Sequence, residues 1–150
     1  MKIAFLFLTI DNVRIPKIWE YYFKDNYDKL NIYCHPKNPE KVTIEWQKRN
    51  IINNLTNTKW GHFTNAILNL FKAALKNKDN KKFMIVSESC LPIKSFNLFY
   101  NMLSKDNIKT SYINITKFNS YNINNSKIPQ EYLKDINLIK HSGWFCLSRH

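Results

Sequence analysis

The feature that most constrains this sequence is a set of short apolar runs separated by segments with helical periodicity. Residues 3–8 are apolar without interruption, which is typical of a strand covered on both faces. Residues 30–34 and 83–86 are further runs of this strand-like kind. The alternation of such strands with helical segments predicts an α/β fold of the Rossmann type, with a mostly parallel sheet flanked by helices.

Three segments carry the helical periodicity. Residues 15–23 follow the first strand, and Pro16 is tolerated in the first turn of a helix. Residues 63–75 place their apolar side chains on one face and Asn and Lys on the other, and they form the best-defined amphipathic helix of the chain. Residues 96–103 form the third helix, and Ser95 is its expected cap.

The remaining segments give weaker signals. Residues 40–57 are poorly patterned and suggest only a short strand at 50–55. Residues 106–137 are rich in Asn and Ser, so we expect irregular structure there with one strand-like piece at 111–115. Residues 142–150 read as a final strand with no element after it.

The length of 150 residues suits one domain, which we predict to span residues 1–150. Hydrophobic residues make up 44% of the chain, and it contains only two glycines, so disordered and collagen-like classes are excluded. The net charge of +12 predicts salt-dependent attraction to phosphate-bearing ligands. Arg14, Arg49 and Arg149 are the only arginines, however, and basic residues are not clustered, so no dedicated nucleic-acid site is expected.

Several kinds of site are excluded by what the sequence lacks. Gly61 and Gly143 cannot form a glycine-rich phosphate loop, and no Asp-x-Asp pair or His/Cys cluster offers metal ligands. Cys34, Cys90 and Cys146 are far apart in apolar stretches and are expected to be buried free thiols. If phosphates bind here, we therefore expect Lys or Arg side chains to neutralise them.

The amino terminus resembles a signal peptide only in part. Its apolar run is far shorter than the roughly 20 residues of a membrane span, and no small-residue cleavage site follows it. We read it as a buried strand and expect no membrane anchor within these residues. The sequence does not specify the cellular compartment, and we take the cytoplasm as the default.

Ionisable residues follow the predicted parallel strands, whose carboxyl ends are where ligands gather in such sheets. Asp11 and His35 each have a structural alternative, as a helix cap and as a surface turn residue. Lys37 and the residues just before Trp144 are expected to lie at the same edge of the sheet. Glu88 stands between two serines directly after a strand, so it is either desolvated and hydrogen-bonded or faces a cleft.

The ordered segments together resemble the core-2/I-branching glycosyltransferase family, which includes β-1,6-N-acetylglucosaminyltransferases and peptide xylosyltransferases. The resemblance covers essentially the whole chain. The segments that carry it are residues 2–8, residues 31–35, Lys59-Trp60-Gly61, residues 83–93 with Ser-Glu-Ser-Cys-Leu-Pro-Ile, and residues 142–149 with Ser-Gly-Trp-Phe-Cys-Leu-Ser-Arg.

This resemblance implies a GT-A-like fold and inverting transfer of a sugar, N-acetylglucosamine or xylose, from a UDP-sugar to a glycan or protein hydroxyl. It implies that no metal and no cofactor is needed, which agrees with the missing Asp-x-Asp. The donor-binding residues that it implies are Leu8, Thr9, Asp11, His35, Lys37 and Trp60. The residues that it implies face the sugar or the acceptor are Ser87, Glu88, Ser142, Gly143 and Trp144.

Two departures from the family pattern affect these expectations. Where many members have His-x-Asp, this chain has His35-Pro36-Lys37, so one nucleoside contact is in doubt. The family's catalytic Glu lies beyond the strand matching residues 143–149, at a position past His150, the last residue of this sequence. We therefore read the chain as an N-terminal portion that a further chain would complete, with Glu88 as the fallback base. Members of the family are usually anchored in the Golgi membrane.

Two other functions remain open at this stage. The chain could be an inactive remnant that still binds a nucleotide or a glycan, because the expected base and the family's phosphate-binding residues lie outside it. It could instead be a basic nucleic-acid-binding protein that stacks bases on Trp and Tyr rings.

Overall fold

Parallel strands form the centre of the sheet in the computed structural model of this protein. The structure describes residues 1–59, 61–105, 107–117, 131 and 139–150. Strand β1 (Lys2–Thr9) lies between β2 (Leu30–Pro36) and β3 (Asn80–Ser87) and is parallel to both. The carboxyl ends of these strands therefore meet at one edge of the sheet, as the apolar runs predicted.

Two antiparallel strands extend this parallel centre. Strand β5 (Ile139–Ser148) pairs antiparallel with β3 on one side and with β4 (Tyr112–Lys117) on the other. The sheet order is β2-β1-β3-β5-β4. The strands expected at 111–115 and 142–150 are thus present with somewhat different bounds, and the predicted α/β class is confirmed.

Helices cover both faces of the sheet. The expected helices are α1 (Pro16–Phe23), α3 (Thr64–Leu75) and α4 (Phe96–Ser104). The side chain of Ser95 caps α4, where it accepts a hydrogen bond from the backbone N–H of Leu98 at 3.4 Å. Among the described residues, no helix is long and apolar enough to cross a lipid bilayer.

One face of the sheet is packed with aromatic rings. Phe7 lies at its centre, with its ring centroid 5.0 Å from that of Trp19 and 5.4 Å from that of Trp46. The edge-to-face geometry of these pairs is the arrangement that ring quadrupoles favour. Further rings of this aromatic face are Phe5, Tyr22, Phe23 and Phe96.

The opposite face, the α3 face, is packed mainly with aliphatic side chains, and a smaller group of rings lies beside them, formed by Phe71, Phe83 and Phe145. Helix α3 places Leu70 and Ala74, both fully buried, against Ala4 and Leu6 of β1. These aliphatic contacts cover the middle and the amino-terminal half of the strands. The carboxyl ends of the strands lie beyond them, next to the first turn of α3.

The expectation of a short strand at 50–55 is wrong. Only Ile51 bridges to β2, at Cys34, and the preceding residues form a 3₁₀ helix (Pro39–Lys41) and helix α2 (Glu45–Arg49). Helix α2 has five residues, which is too few for a helical period to be visible in the sequence. Its buried Trp46 and Gln47 are what hold it to the sheet.

The thiols are only partly as expected. Cys34 and Cys146 are buried and free, whereas Cys90 is half-buried. Burial raises the pKa of the Cys146 thiol to about 11, and it raises that of Cys34 further. The irregular structure expected between β4 and β5 lies mostly outside the described residues.

Two cations hold β5 and the segment before β4 to the sheet. The ammonium group of the buried Lys82 donates to the backbone carbonyls of Asn107 and Thr110. The guanidinium group of Arg149 donates to the carbonyls of Asn77 and Asn80, at 2.7 Å each, just after α3 ends. Each cation satisfies carbonyl groups that otherwise have to find water or another donor.

Candidate functional site

A cavity of about 490 Å³ opens at the carboxyl ends of β1 and β3, on the α3 face. Its volume is within the range of small-molecule sites, and its position is the usual one for ligands in open α/β sheets. The lining is mainly apolar with a few charged and hydroxyl groups, and it consists of Leu8, Thr9, Ile10, Lys37, Thr58, Lys59, Phe63, Ile67, Ile85, Ser87, Glu88, Ser89, Gly143 and Trp144.

The cavity brings together most of the residues singled out from the sequence. Those that line it are Leu8, Thr9, Lys37, Ser87, Glu88, Gly143 and Trp144. Asp11 and His35, which the resemblance implied as donor-binding residues, lie outside the lining. Trp60 lies outside the described residues, and Ser142 is described only as part of the backbone of β5.

His150, the last residue of the sequence, does not line the cavity. His150 is exposed after β5, where its carbonyl accepts a hydrogen bond from Ser148 Oγ at 3.2 Å, and it is not among the residues around the cavity. The base that the resemblance implies beyond His150 therefore stays a prediction, and Glu88 is the one carboxylate of the described lining.

Sequence reasoning missed the rest of the lining. Ile10, Phe63 and Ile67 are apolar, and nothing in their pattern distinguishes a cavity wall from an ordinary core position. The sequence did indicate Lys59, because it is the first residue of Lys59-Trp60-Gly61, one of the segments that carry the family resemblance.

Gln47 fixes the loop that leaves β1. This side chain is completely buried, and its Nε2 donates to Thr9 Oγ1 at 3.2 Å and to the carbonyl of Asp11 at 2.5 Å. Its Oε1 accepts from the backbone N–H of Val13 at 3.0 Å. The loop at this end of the cavity is therefore fixed by an amide from α2.

Asp11 has a local structural role in this loop. Its carboxylate accepts a hydrogen bond from the backbone N–H of Asn12 at 2.6 Å, and its carbonyl accepts one from Thr9 Oγ1 at 2.8 Å. The side chain of Asn12 in turn accepts from the backbone N–H of Thr43 at 2.9 Å. These contacts join the loop after β1 to the chain before α2.

His35 is fully buried rather than at a surface turn. Its Nε2 accepts a hydrogen bond from the backbone N–H of Thr56 at 3.0 Å, which requires that nitrogen to be unprotonated. Burial lowers the pKa of His35 and so favours this neutral form. The histidine thereby fixes the segment that continues to Thr58 and Lys59 at the cavity wall.

A tight turn places Lys59 at the rim. The backbone N–H of His62 donates to the carbonyl of Lys59 at 2.8 Å, and the two residues form an antiparallel bridge. Gly61 lies in this turn with a φ of 75°, a left-handed conformation that a side chain disfavours. The glycine therefore allows the turn that directs the chain back toward α3.

The end of β3 forms a second tight turn at the opposite wall. The backbone N–H of Cys90 donates to the carbonyl of Ser87 at 3.2 Å, and Ser87 Oγ lies 3.1 Å from Ser89 Oγ. Glu88 is half-buried at the corner, and its carbonyl accepts from the backbone N–H of Arg14 at 2.9 Å. Of the two readings left open for Glu88, the one facing a cleft matches this placement.

The charges around the cavity are unequal. Lys37 and Lys59 are exposed cations in its lining, whereas Glu88 is its one carboxylate among the described residues. The walls between them are apolar, and electrostatic attraction is stronger beside apolar walls than in open water. The arrangement can bind an anionic group at the lysines and an apolar or aromatic body between the walls.

Gly143 leaves part of the cavity open. A methyl group added at this position meets nothing within 4 Å. Next to it, Trp144 is 48% exposed and lines the same space. At β5 the cavity therefore has free space beside Gly143 and the large ring of Trp144 next to it, an arrangement that suits a flat or cyclic ligand.

Ionisable side chains are dispersed around this space. Among the residues that the structure describes, no three His, Cys, Asp or Glu side chains are grouped so as to hold a metal ion. The charged groups available to a ligand in the cavity are those of Lys37, Lys59 and Glu88.

The mixed sheet, parallel at its centre, flanked by helices and with a ligand-sized, partly cationic cavity at its carboxyl edge, is consistent with a GT-A-like α/β fold. The model of the Core-2/I-Branching enzyme family matches residues 3–150. The chain belongs to this family of glycosyltransferases, as the resemblance of its segments indicated.

A curated relative supports the same assignment. The chain is 28% identical over 160 residues to the protein named Glycosyltransferase BC10 of Oryza sativa subsp. japonica. The match covers 99% of this chain and 38% of the rice protein. The chain therefore spans less than half the length of that relative.

Proposed function

We propose that this chain forms the donor-binding part of a glycosyltransferase that transfers a sugar from a UDP-sugar to a hydroxyl acceptor without a metal ion. The observation that carries the proposal is the cavity at the carboxyl ends of β1 and β3, with Lys37 and Lys59 in its lining. Family membership supplies the reaction class.

In this proposal the uridine lies between the apolar walls, and the diphosphate lies near the two lysines. A diphosphate needs compensating positive charge when it leaves the sugar, and ammonium groups can supply that charge. The sugar is N-acetylglucosamine or xylose, and it lies toward Gly143 and Trp144. The acceptor is a glycan or protein hydroxyl.

The reaction that we propose inverts the anomeric carbon. The acceptor oxygen attacks this carbon opposite the bond to UDP, the new C–O bond forms as the bond to the diphosphate breaks, and UDP leaves. A base takes the acceptor proton, which contributes about 10² to 10⁴ in rate. We expect that base to come from a segment or a chain beyond His150, with Glu88 as the alternative within residues 1–150.

Binding of the donor is the first test. Isothermal titration calorimetry with UDP, in the presence of a chelator, should show binding to the wild-type chain. The Lys37→Ala/Lys59→Ala variant should bind UDP at least about tenfold more weakly, since two charge-assisted contacts are lost. The matched control is Lys17→Ala/Lys24→Ala, which removes two lysines away from the cavity. Equal loss in the control, or strict dependence on a divalent ion, contradicts the proposal.

The sugar position is tested with Gly143→Leu. The Cβ of the new side chain meets no atom within 4 Å, so the variant should remain folded. It should weaken binding of UDP-N-acetylglucosamine or UDP-xylose more than binding of UDP alone. Equal effects on UDP and on both UDP-sugars contradict the sugar position.

Catalysis is tested separately by release of the sugar from UDP-N-acetylglucosamine and UDP-xylose. Turnover that is lost in Glu88→Gln with UDP binding unchanged identifies Glu88 as the base. Turnover that survives this substitution excludes it. Binding of UDP without any turnover supports a chain that binds the donor and depends on further residues for transfer.

A further inference from the structure

A second groove, of about 460 Å³, lies at the β2 edge of the sheet. It runs between residues 49–54 and the outer side of α3, and it shares no lining residue with the donor cavity. The proposed transfer reaction gives this groove no role. Its lining combines cationic side chains with part of the β2 edge.

The groove is positively charged. Lys72 and Lys76 lie one turn apart at the end of α3, and Arg49 stands across from them at the end of α2. Among the described residues that line the groove there is no carboxylate, and the polar remainder is mainly Asn side chains. Two like charges four residues apart on a helix repel each other and destabilise it. An anionic ligand bound between them would reduce this repulsion.

The backbone edge of β2 is open at this groove. Cys34 directs its backbone to this edge, where its N–H donates to the carbonyl of Asn50 at 2.8 Å and its carbonyl accepts from Ile52 N–H at 3.0 Å. Ile32 lies two residues earlier, so its N–H and C=O point to the same edge. Within the described part of the chain neither group has a backbone partner, because on the side of β2 away from β1 only Ile51 bridges to the strand, at Cys34.

A sheet edge offers donors and acceptors in alternation. The phosphate or sulfate groups of a polyanion carry acceptors only, so they cannot satisfy the carbonyl of Ile32, whereas an extended peptide can pair with both groups. The Asn side chains of the groove likewise both donate and accept. The cations select for acidic side chains on that peptide.

We propose that this groove binds an extended acidic segment of a partner protein. The segment adds a short strand beside β2 at Ile32, and its carboxylates lie against Arg49, Lys72 and Lys76. Because Asn50 closes the edge after Cys34, only a few residues can pair. The affinity therefore comes largely from charge and falls as salt is added.

The test uses fluorescence anisotropy with a short, capped peptide of alternating Glu and Val. It should bind wild-type protein, and Lys72→Glu/Lys76→Glu should weaken binding at least about tenfold, since two attractive contacts become repulsive. The matched control, Lys17→Glu/Lys24→Glu, makes the same change in net charge on lysines outside the groove and should leave binding within about twofold.

Two probes separate a peptide from a polyanion. The same peptide with N-methylated backbone amides keeps its charges but cannot donate a hydrogen bond to the carbonyl of Ile32, so it should bind at least about fivefold more weakly. In NMR spectra, the amide of Ile32 should exchange more slowly with solvent when the unmodified peptide is bound. Equal binding of the N-methylated peptide, or tighter binding of a heparin hexasaccharide, overturns the proposal.

Discussion

The two faces of the sheet are built on different principles. The aromatic face is filled with large rings as far as α2, where the buried Trp46 and Gln47 lie close to the loop after β1. The α3 face is packed mainly with aliphatic side chains and with three rings, Phe71, Phe83 and Phe145, and it then opens into a cavity at the carboxyl ends of the strands. Stability is thus concentrated on one face and the candidate site on the other.

The difference between the two faces shows how a small domain can combine a ligand site with a well-packed core. The rings make many contacts with each other, so the aromatic face can fix the strands by itself. On the α3 face, Ala66 and Ala74 are fully buried and allow close approach of the helix, while Phe71 packs on the ring of Phe83. The carboxyl end of this face is free to present Lys37, Lys59 and Glu88.

The largest expected effect is the loss of a ring from the aromatic face. Phe7→Ala should reduce the free energy of unfolding by about 3–5 kcal/mol, because Phe7 is fully buried among other rings. Ile67→Ala on the cavity wall should cost less than half as much, because Ile67 is only partly buried. Urea denaturation followed by tryptophan fluorescence measures both. Equal costs contradict the contrast between the faces.

Removal of the Gln47 amide should have the next largest effect. Gln47→Met leaves the backbone N–H of Val13 without its acceptor and removes the amide that donates to Thr9 Oγ1, which should cost about 1–3 kcal/mol of unfolding free energy. It should also weaken UDP binding, since the loop at the cavity loses its anchor. Lys48→Met, at an exposed position next to it, is the control. Unchanged stability and unchanged UDP affinity in Gln47→Met would show that the loop is held by other contacts.

A smaller effect should appear as the pH is lowered. Burial holds the pKa of His35 in the folded chain below its ordinary value of about 6.5. As the pH is lowered, this histidine is therefore protonated in the unfolded chain before it is protonated in the folded one. The stability associated with neutral His35 is therefore complete above pH 6.5 and decreases below it, by at most about 1.4 kcal/mol per pH unit. Comparison of urea midpoints at several pH values for wild type and His35→Asn isolates this residue. Parallel pH profiles would show that His35 does not titrate in this way.

The smallest effects on stability should come from the charged groups of the cavity. Lys37→Ala and Glu88→Gln should each change the unfolding free energy by no more than about 0.5 kcal/mol, because neither side chain is buried in packed surroundings. Lys37→Ala should nevertheless weaken UDP binding. Thermal denaturation with and without UDP measures both quantities. A large loss of stability without ligand would place these groups in the core instead.

Much of the fold could be predicted because the pattern of the sequence and the burial agree. Helix α3 has twelve residues with one apolar face, and that face is the one that packs on β1. Helix α2 could not be predicted, since its five residues show no period and its position depends on the buried contacts of Trp46 and Gln47. Contacts between distant segments leave no local signal.

The site was predictable in position but not in detail. Parallel strands bring their carboxyl ends together, which is why Thr9, Lys37 and Ser87 line one cavity. Asp11 follows β1 and His35 lies near the end of β2, yet a backbone N–H group of a loop binds one polar atom of each, Asp11 Oδ1 and His35 Nε2. Whether a residue after a strand meets a ligand or a loop depends on the path of that loop, and no sequence pattern specifies it.

The order of the strands has a consequence for synthesis of the chain. β4 emerges from the ribosome before β5, yet β5 lies between β3 and β4. During that interval the apolar edge of β3 is uncovered, and β4, with its exposed Ile113 and Ile115, has no neighbour to join. A nascent chain at this stage presents two unpaired strands to other molecules. Its yield in cells is therefore expected to depend on chaperones that shield such edges until β5 has emerged from the ribosome.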